Sequence, residues 1–219
     1  FIIYMYYSTK KNNHNLKFNP FKALVVPRPI GWISTISKKG IGNLAPFSFF
    51  NALNYDPPYV MFSAGSRSNG DKKDTVNNAE QVGEFVVNMA NWDTRSQMNE
   101  TSWILESEVD ELKKTGLTPI SSYDVKPKRV AESPIHFECK YYKTITIPGN
   151  TPQALHHVII GHVIGIHIKD EFISKDGIVD TKKMNIIARL GYNDYIKINE
   201  TFSIIDNNDL GKMTTSWDK

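Results

Sequence analysis

The sequence predicts a mainly β protein, an antiparallel barrel with a few inserted helices. Runs rich in β-branched and aromatic residues recur along the chain, as at 30–37, 57–65 and 156–168. Clusters of glycine, proline and polar residues separate these runs, as expected of turns between strands. The few helical segments do not alternate with the strands in a βαβ pattern. This order favours an antiparallel barrel over a doubly wound parallel sheet.

Length and composition are those of one globular domain. The 219 residues carry no internal repeat and no linker-like stretch, so a single domain over 1–219 is predicted. Hydrophobic residues make up 40% and charged residues 22%, which is typical of soluble globular proteins. A net charge of +3 is too weak to indicate a nucleic-acid surface. No apolar stretch approaches the roughly 20 residues that span a bilayer, and the N-terminal FIIYMYYSTKK lacks the basic leader and cleavage site of a signal peptide.

Cysteine and histidine give little sign of disulfide or metal chemistry. Cys139 is the only cysteine, so no disulfide can form within the chain, and a reducing cytoplasm is the natural compartment. In IHFECKYY it shares a strand face with apolar side chains, which predicts a buried, unreactive thiol. His156 and His157 point to opposite faces of a strand, and so do His162 and His167. No metal site is predicted.

The first half of the chain predicts strands and one well-marked helix. IGWISTIS (30–37) alternates like a strand, and KKGIGN after it predicts a hairpin turn. PPYVMFSAG (57–65) predicts a strand after a double proline, and the polar SRSNGDKKD predicts a loop. TVNNAEQVG predicts a helix with Asp74 as its N-cap and Gly83 as its C-terminal stop. EFVVNMA predicts the next strand.

The second half predicts two helices and then long strands. NWDTRSQMNETS (91–102) and SEVDELKKTG (107–116) read as helices, and Gly116 ends the second one. Long β runs are predicted at 130–147 and 156–168, the latter with a bulge at the glycines of GHVIG. EFISKDGIVD predicts a hairpin around Asp176-Gly177. The segment MNIIARLGYNDYIKI closes the fold, and the polar tail after Glu200 is expected to be peripheral.

The run GNLAPFSFFN (42–51) is unusual because Pro46 interrupts an apolar stretch. Proline cannot donate to a β-ladder, so a loop edge is expected here rather than a paired strand. The small side chains of Asn43 and Ala45 let a flat ring approach the backbone, and Ser48 adds a hydroxyl. The alternative is an edge strand that carries Pro46, with its phenylalanines in the core. The residues alone leave both interpretations open.

The loop SRSNGDKKDT (66–75) has the composition of an anion site. Arg67, Lys72 and Lys73 directly precede the predicted helix start at Asp74 and Thr75. Free amides at a helix N-terminus bind phosphate. The arginine guanidinium donates two hydrogen bonds to phosphate oxygens, and lysine adds a positive charge. The alternative is a solvated charged loop in front of an ordinary Asp cap.

These segments together resemble the flavin reductase-like, FMN-binding split-barrel family. The resemblance extends from about residue 18 to 198 and is carried by PRPIGWIST, NLAPFSFFN, SRSNGDKKDT, GEFVVN, DELKKTGLTP, VAESPIHFEC and IARLGY, in this order. It implies a six-stranded Greek-key barrel, a homodimer, and FMN bound near the dimer interface. Many relatives have a second glycine where this chain has Tyr192, so the wall of the site is expected to differ there.

The resemblance also implies which residues hold FMN. Ser34 and Thr35 would lie along the isoalloxazine, with Thr35 near N5 or O4, and Arg189 would approach the cofactor. His156 or His157 would reach the site from the second subunit. The pyrimidine side of the ring would meet a strand edge, and the phosphate would meet the charged loop. The edge residues are Asn43, Ala45, Pro46, Phe47 and Ser48, and the loop residues are Ser66, Arg67, Lys73, Asp74 and Thr75.

The function implied is that of an NAD(P)H-dependent flavin reductase. Hydride would pass from the nicotinamide to FMN, and electrons would pass on to free flavin, an iron chelate or a partner oxygenase. The chemistry belongs to the cofactor, so no general acid or base is predicted. The alternative is a non-catalytic FMN protein, an electron carrier or flavin store, since no nicotinamide-binding motif is visible.

Overall fold

The computed structural model describes residues 3–202, so most of the predicted polar tail lies outside the described residues. The chain is mainly β, as predicted. The strands are β1 Arg28–Pro29, β2 Gly31–Ile36, β3 Gly42–Phe47, β4 Phe50–Tyr55, β5 Pro58–Gly65, β6 Glu84–Met89, β7 Pro119–Ile120, β8 Arg129–Val130, β9 Ile135–Ile147, β10 His156–Ile168, β11 Ile187–Arg189 and β12 Tyr195–Lys197. The helices are α1 Phe21–Leu24, α2 Asp74–Val82, α3 Arg95–Glu100 and α4 Glu111–Lys114, with a 3₁₀ turn at Asp170–Phe172.

Seven strands form one antiparallel sheet in the order β3-β2-β6-β9-β10-β5-β4. The two edge strands, β3 and β4, are consecutive in the chain and are joined by only Ser48 and Phe49. This short connection holds the two edges close together, so the sheet curls into a barrel that stays open between them. The antiparallel barrel is therefore confirmed, with seven strands instead of the six expected, because the segment after Phe49 adds β4 to β5.

The interior of the curled sheet is the main core. It contains Ile33, Phe62, Phe85, Cys139 and Ile159, all fully buried. Gly161 leaves room for Phe85, because a Cβ at position 161 would lie 2.3 Å from that ring. The prediction of a buried Cys139 is confirmed, and burial raises the pKa of its thiol well above the usual range.

A second core lies outside the sheet, under α3 and α4. Strand β2 contributes to both cores, since Ile33 points inward while Trp32 packs with Leu44 and Met98 on the outer side. The Trp32 indole Nε1 donates a 2.9 Å hydrogen bond to Thr101 Oγ1, which satisfies its buried N–H. Both faces of β2 are therefore buried.

Most predicted elements are confirmed, but helix boundaries differ. Helix α2 ends as predicted, with Gly83 at φ +79° and its N–H bonded to the Ala79 carbonyl. Its N-cap is Lys73, however, and Asp74 is the first helical residue. The helices predicted over 91–102 and 107–116 shorten to α3 and α4, although Asp110 does cap α4. The bulge predicted at GHVIG is present as two register shifts between β9 and β10.

Strands β1, β11 and β12 form a separate small sheet in the order β1-β11-β12. This sheet carries the Arg28 and Arg189 side chains to one end of β3, where both line the same cleft as Ser48. None of the helices within residues 3–202 has the length and apolar character needed to cross a bilayer.

His136 is a buried neutral group that ties β9 to β8. Its Nε2 lies 2.7 Å from the Val130 carbonyl and donates to it, and the side chain is shielded from solvent. Burial lowers the pKa of His136 to about 4, even though the bond to Val130 acts in the opposite direction. Burial also lowers the pKa of His157.

We expect the free energy of unfolding to fall as pH drops from about 6.5 to 4.5. The unfolded chain binds a proton at His136 in this range while the folded chain does not, which costs about 2–3 kcal/mol. Urea unfolding at several pH values measures this slope, and His136→Gln should flatten most of it. An unchanged slope in that variant would show that His136 is not the responsible group.

Candidate functional site

Two adjoining clefts follow the open edge strand β3. The first, called here the strand cleft, has a volume of about 490 Å³ and runs from β3 to the start of α2 and the segment after α3. The second, called the basic pocket, has a volume of about 480 Å³ and lies at the far end of β3. Ser102 lines both clefts, so they adjoin at this residue. The basic pocket is lined by Lys22, Arg28, Pro46, Ser48, Ser102, Arg189, Tyr192 and Tyr195, with Asn19, Ile30, Met98, Asn99 and Asn193.

The start of α2 supplies cations and free amides to the strand cleft. Arg67 Nη2 lies 2.6 Å from Asp74 Oδ2, and Ser107 Oγ donates to Asp74 Oδ1 at 2.9 Å. Asp74 therefore holds Arg67 at the helix start and does not cap the helix with its own side chain. Within residues 3–202, the amides of Asp74 and Thr75 have no acceptor. The positive end of the helix dipole faces the cleft here.

Lys73 is a cation of this cleft that forms no ion pair within residues 3–202. Its Nζ lies 5.8 Å from the centre of the Phe47 ring, and no carboxylate within residues 3–202 pairs with it. Although the residue as a whole is solvent-exposed, desolvation of the ammonium by its surroundings lowers its pKa, and the charge of Arg67 adds to this effect. Two cations beside each other at a helix N-terminus make a site for an anion.

A buried amide links the helix to the strands at the base of the cleft. Asn43 Nδ2 donates to Thr75 Oγ1 at 2.9 Å and to Thr35 Oγ1 at 3.2 Å. Asn78 Nδ2 donates to the same Thr35 hydroxyl at 3.2 Å. These bonds fix β2, β3 and α2 relative to one another. The hydroxyl of Thr35 is therefore engaged by protein groups and buried at the base of the cleft.

Strand β3 shows why a proline is tolerated in this segment. The expected unpaired loop is wrong, because residues 42–47 pair with β2 in register, with Pro46 opposite Trp32. The Leu44 amide points away from β2 and donates to Glu111 Oε2 at 3.0 Å. Two residues later, Pro46 occupies the next outward position, where no ladder partner exists. The edge-strand alternative is the correct one.

Two backbone amides without an acceptor in residues 3–202 lie just after β3. Strand pairing with β2 stops at Phe47, and the backbone bends at Ser48 and Phe49. In the described part of the chain the amides of both residues have no acceptor. The Phe49 carbonyl accepts from the Ser63 amide at 2.7 Å and anchors the bend to β5. The bend thus carries two unengaged amides, one of them in Ser48, which lines the basic pocket.

Glu111 is the buried acid of the strand cleft. Burial raises the pKa of its carboxyl group above the usual range, while the bond from the Leu44 amide opposes this change. The pattern of the sequence did not reveal this residue, because Glu111 belongs to a charged, short helix whose contact with β3 is a tertiary one.

The structure brings ten of the thirteen predicted site residues to the two clefts. Those at the strand cleft are Asn43, Ala45, Ser66, Arg67, Lys73, Asp74 and Thr75, and those at the basic pocket are Pro46, Ser48 and Arg189.

Three predicted residues line neither cleft. Ser34 points to the outer side of β2, where its hydroxyl donates to the Lys128 carbonyl at 2.6 Å and accepts from Asn88. Phe47 is buried in the main core. Thr35 lies beneath Asn43, so it acts on the cleft only through that amide. The role along a ring expected for Ser34 is therefore not supported by its position.

Two further residues support the clefts from behind. His157 Nε2 lies 3.1 Å from the Ser66 hydroxyl of the same chain, so it reaches the charged loop without a second subunit. Arg28 ties the N-terminal segment to the bend after β3. Its PRPIGW context gave no indication of this, because its partners Ser48 and Leu190 lie 20 and 162 positions away. No group of three or more His, Cys, Asp or Glu side chains in residues 3–202 is arranged to hold a metal ion.

Comparison with known proteins places this arrangement in a family. The model of the flavin reductase like domain matches residues 23–184. The chain therefore belongs to the flavin reductase-like family, and the class it defines is that of flavin-binding oxidoreductases. An uncharacterized protein of Aquifex aeolicus (strain VF5) is 41% identical over 193 residues, which covers 88% of this chain and 95% of that protein.

Solved structures share the fold. Nitrilotriacetate monooxygenase component B from Bacillus cereus superposes with a TM-score of 0.81 and 29% identity, covering 93% of this chain and 98% of that one. Flavoredoxin of Desulfovibrio vulgaris (Miyazaki F) superposes with a TM-score of 0.71 at 17% identity, covering 82% of this chain and 91% of that one. The second likeness, at this identity, concerns the fold alone.

Proposed function

We propose that this protein binds FMN along β3 and uses it to pass electrons from NAD(P)H to an acceptor. The observation that carries the proposal is the chemistry at the two ends of the adjoining clefts. One end offers Arg67, Lys73 and the first amides of α2, which fit a phosphate. The other end offers the free amides after β3, which fit the polar edge of a flat heteroaromatic ring.

The walls between these ends fit a ring that approaches the backbone. Ala45 and Asn43 are small side chains on the cleft side of β3, and Asn43 is held by its bonds to Thr35 and Thr75. Rigid placement of such groups reduces the entropy lost on binding. Trp103 and Ile104 also line the strand cleft and are exposed, which offers the ring an apolar surface.

The residues of this chain would bind and orient FMN, and the cofactor would carry the reactive group. FMN, when bound, supplies the hydride acceptor and the route for one or two electrons. Arg67, Lys73 and the first amides of α2 fix the phosphate. The Ser48 and Phe49 amides are the groups that would meet the polar edge of the ring and stabilise negative charge there. No side chain is required to move a proton for hydride transfer.

We propose that free flavin, an iron chelate or a partner oxygenase accepts these electrons. The Bacillus cereus relative is the component B of a monooxygenase, and that likeness supports an oxygenase partner for this chain. The strand cleft and the basic pocket are both open to solvent along β3, which suits a protein that exchanges electrons with a second molecule.

The protein is proposed to act as a homodimer. The outer face of the β5, β9 and β10 part of the sheet carries a group of apolar side chains beside Lys140, Lys143 and His162, and no element in residues 3–202 covers it. It combines half-buried Met61 and Ile160 with exposed Tyr142 and Ile164. Exposed apolar faces of this kind mark protein interfaces, and a second copy of this chain is the partner that the family resemblance implies.

The first experiment adds FMN to the purified protein and then NADH or NADPH without oxygen. We expect a protein-bound flavin spectrum that loses its visible absorption rapidly when the nicotinamide is added. Binding without reduction would favour the electron carrier or flavin store. A protein that binds no FMN in this titration would contradict the proposal itself.

Arg67→Gln should weaken FMN binding by about 1–3 kcal/mol, the scale of a lost charge-assisted hydrogen bond. Fluorescence titration of FMN gives the dissociation constant. Lys175→Gln, on an exposed turn, is the matched control and should leave it unchanged. Ser34→Ala should also leave FMN affinity unchanged, because that hydroxyl bonds the Lys128 carbonyl. Equal FMN affinity in Arg67→Gln and in the control would contradict the proposal that Arg67 binds the phosphate of FMN.

Ile160→Glu should convert the dimer to a monomer, because it replaces an apolar side chain of this face, next to Met61, with a charged one. Light scattering after size-exclusion chromatography measures the mass of each form. Ile178→Glu, at an exposed turn residue, is the control and should stay dimeric. A wild-type protein that is monomeric and still holds FMN would refute the dimer.

A further inference from the structure

The basic pocket gathers three cations and no acid. Lys22, Arg28 and Arg189 line it, and none of its lining residues is an aspartate or glutamate. Within residues 3–202 no carboxylate lies within 4.0 Å of any of the three. The strand cleft differs, since its cations are accompanied by Asp74 and Glu111.

Arg28 and Arg189 face each other across the small sheet. They are direct partners in the β1–β11 ladder, a position in which like charges destabilise. Arg28 is only 7% exposed. Its guanidinium is held by the Leu190 carbonyl at 2.9 Å and the Val25 carbonyl at 2.7 Å. These partners and the Ser48 hydroxyl are uncharged, so the buried cation lacks a counter-charge. A bound anion would supply it.

Arg189 is fixed in place by a strained residue. Its Nη2 donates to the carbonyl of Tyr192, and its guanidinium lies 4.4 Å from the centre of the Tyr195 ring. Tyr192 has φ +52°, in the left-handed region that bulky side chains rarely occupy. Strain at such a residue persists where the surrounding structure enforces it, commonly at ligand sites. Here the backbone conformation of Tyr192 directs its carbonyl towards Arg189, and the hydrogen bond orients the guanidinium.

The pocket opens beside the part of β3 that carries the proposed ring. Pro46 and Ser48 line it, and Arg28 Nε lies 3.4 Å from the Ser48 hydroxyl. Ser102 joins it to the strand cleft. A molecule held here would therefore lie next to the flavin and not at the phosphate end of the cleft.

We infer that the basic pocket binds an anionic group, a phosphate or a carboxylate, of the second reactant that meets the flavin. The inference rests on the proposed function, because that function puts the ring beside the pocket. Arg189 and Lys22 contact the anion directly, while Arg28 supplies charge from behind and holds the bend after β3. If the anion is a phosphate, it comes from a nicotinamide dinucleotide. If it is a carboxylate, it comes from an acidic electron acceptor.

Inorganic pyrophosphate and citrate are the probes. Each is titrated calorimetrically into FMN-loaded protein, in which the strand cleft is already filled. We expect Arg189→Gln to weaken binding of the preferred probe about tenfold, as for a lost charge-assisted contact, and Lys22→Gln to weaken it less. Lys175→Gln should bind like the wild type. Equal binding by the wild type and Arg189→Gln overturns the inference.

Steady-state kinetics identify which reactant carries the anion. A KM for NADPH that Arg189→Gln raises more than the KM for NADH assigns the pocket to the additional phosphate. An equal rise for both assigns it to the phosphates that they share. A rise confined to ferric citrate as acceptor assigns it to a carboxylate. Unchanged KM values for all three reactants contradict the inference.

Failure of this inference is separable from failure of the proposed function. FMN affinity is measured first, in every variant, and each probe titration is then made at an FMN concentration that saturates the variant under test. If the wild type binds no FMN, the proposed function falls. The probes are then titrated into the apoprotein. Weaker probe binding in Arg189→Gln but not in Arg67→Gln would still locate the anion in the basic pocket. Weaker binding in Arg67→Gln but not in Arg189→Gln would overturn the inference.

Discussion

The short connection between β3 and β4 is the constraint on which the rest of the molecule depends. Two strands at opposite edges of a seven-stranded sheet are joined by only Ser48 and Phe49. The sheet must curl to bring its edges this close, and the curl encloses the core around Phe62 and Phe85. Because the edges do not bond to each other, the backbone of β3 and of the bend remains available beside the clefts. The short connection therefore produces both the curl of the sheet and the exposed bend beside the basic pocket.

The buried amide of Asn43 extends this constraint to the helix. Through the hydroxyls of Thr75 and Thr35 it couples the start of α2 to β2 and β3. The cations at the helix start therefore keep a fixed distance from the bend after β3. A ligand with an anion at one end and a ring at the other meets both surfaces without rearrangement, which reduces the cost of ordering on binding.

The elements were predictable from the sequence because alternation and turn residues are local signals, and β9 and β10 are long enough to show them clearly. The site was predictable only where its residues cluster along the chain, as from Ser66 to Thr75. Ser34 was misplaced because both faces of β2 are buried, so alternation does not tell which one meets a ligand. Asp74 was taken for a cap, but its carboxylate instead binds Arg67 and Ser107, and Ser107 lies 33 positions away. Arg28 and Glu111 act through tertiary contacts that no local pattern records.

The outer edge of β3 also bears on how this protein avoids self-association through its strands. An open sheet edge is a template for the strand of another molecule. Here Glu111 occupies the amide of Leu44, and Pro46 offers no N–H at the next outward position. An incoming strand would find neither of these two donors along the edge. The opening of the barrel thus stays accessible to a small molecule and is closed to β-aggregation.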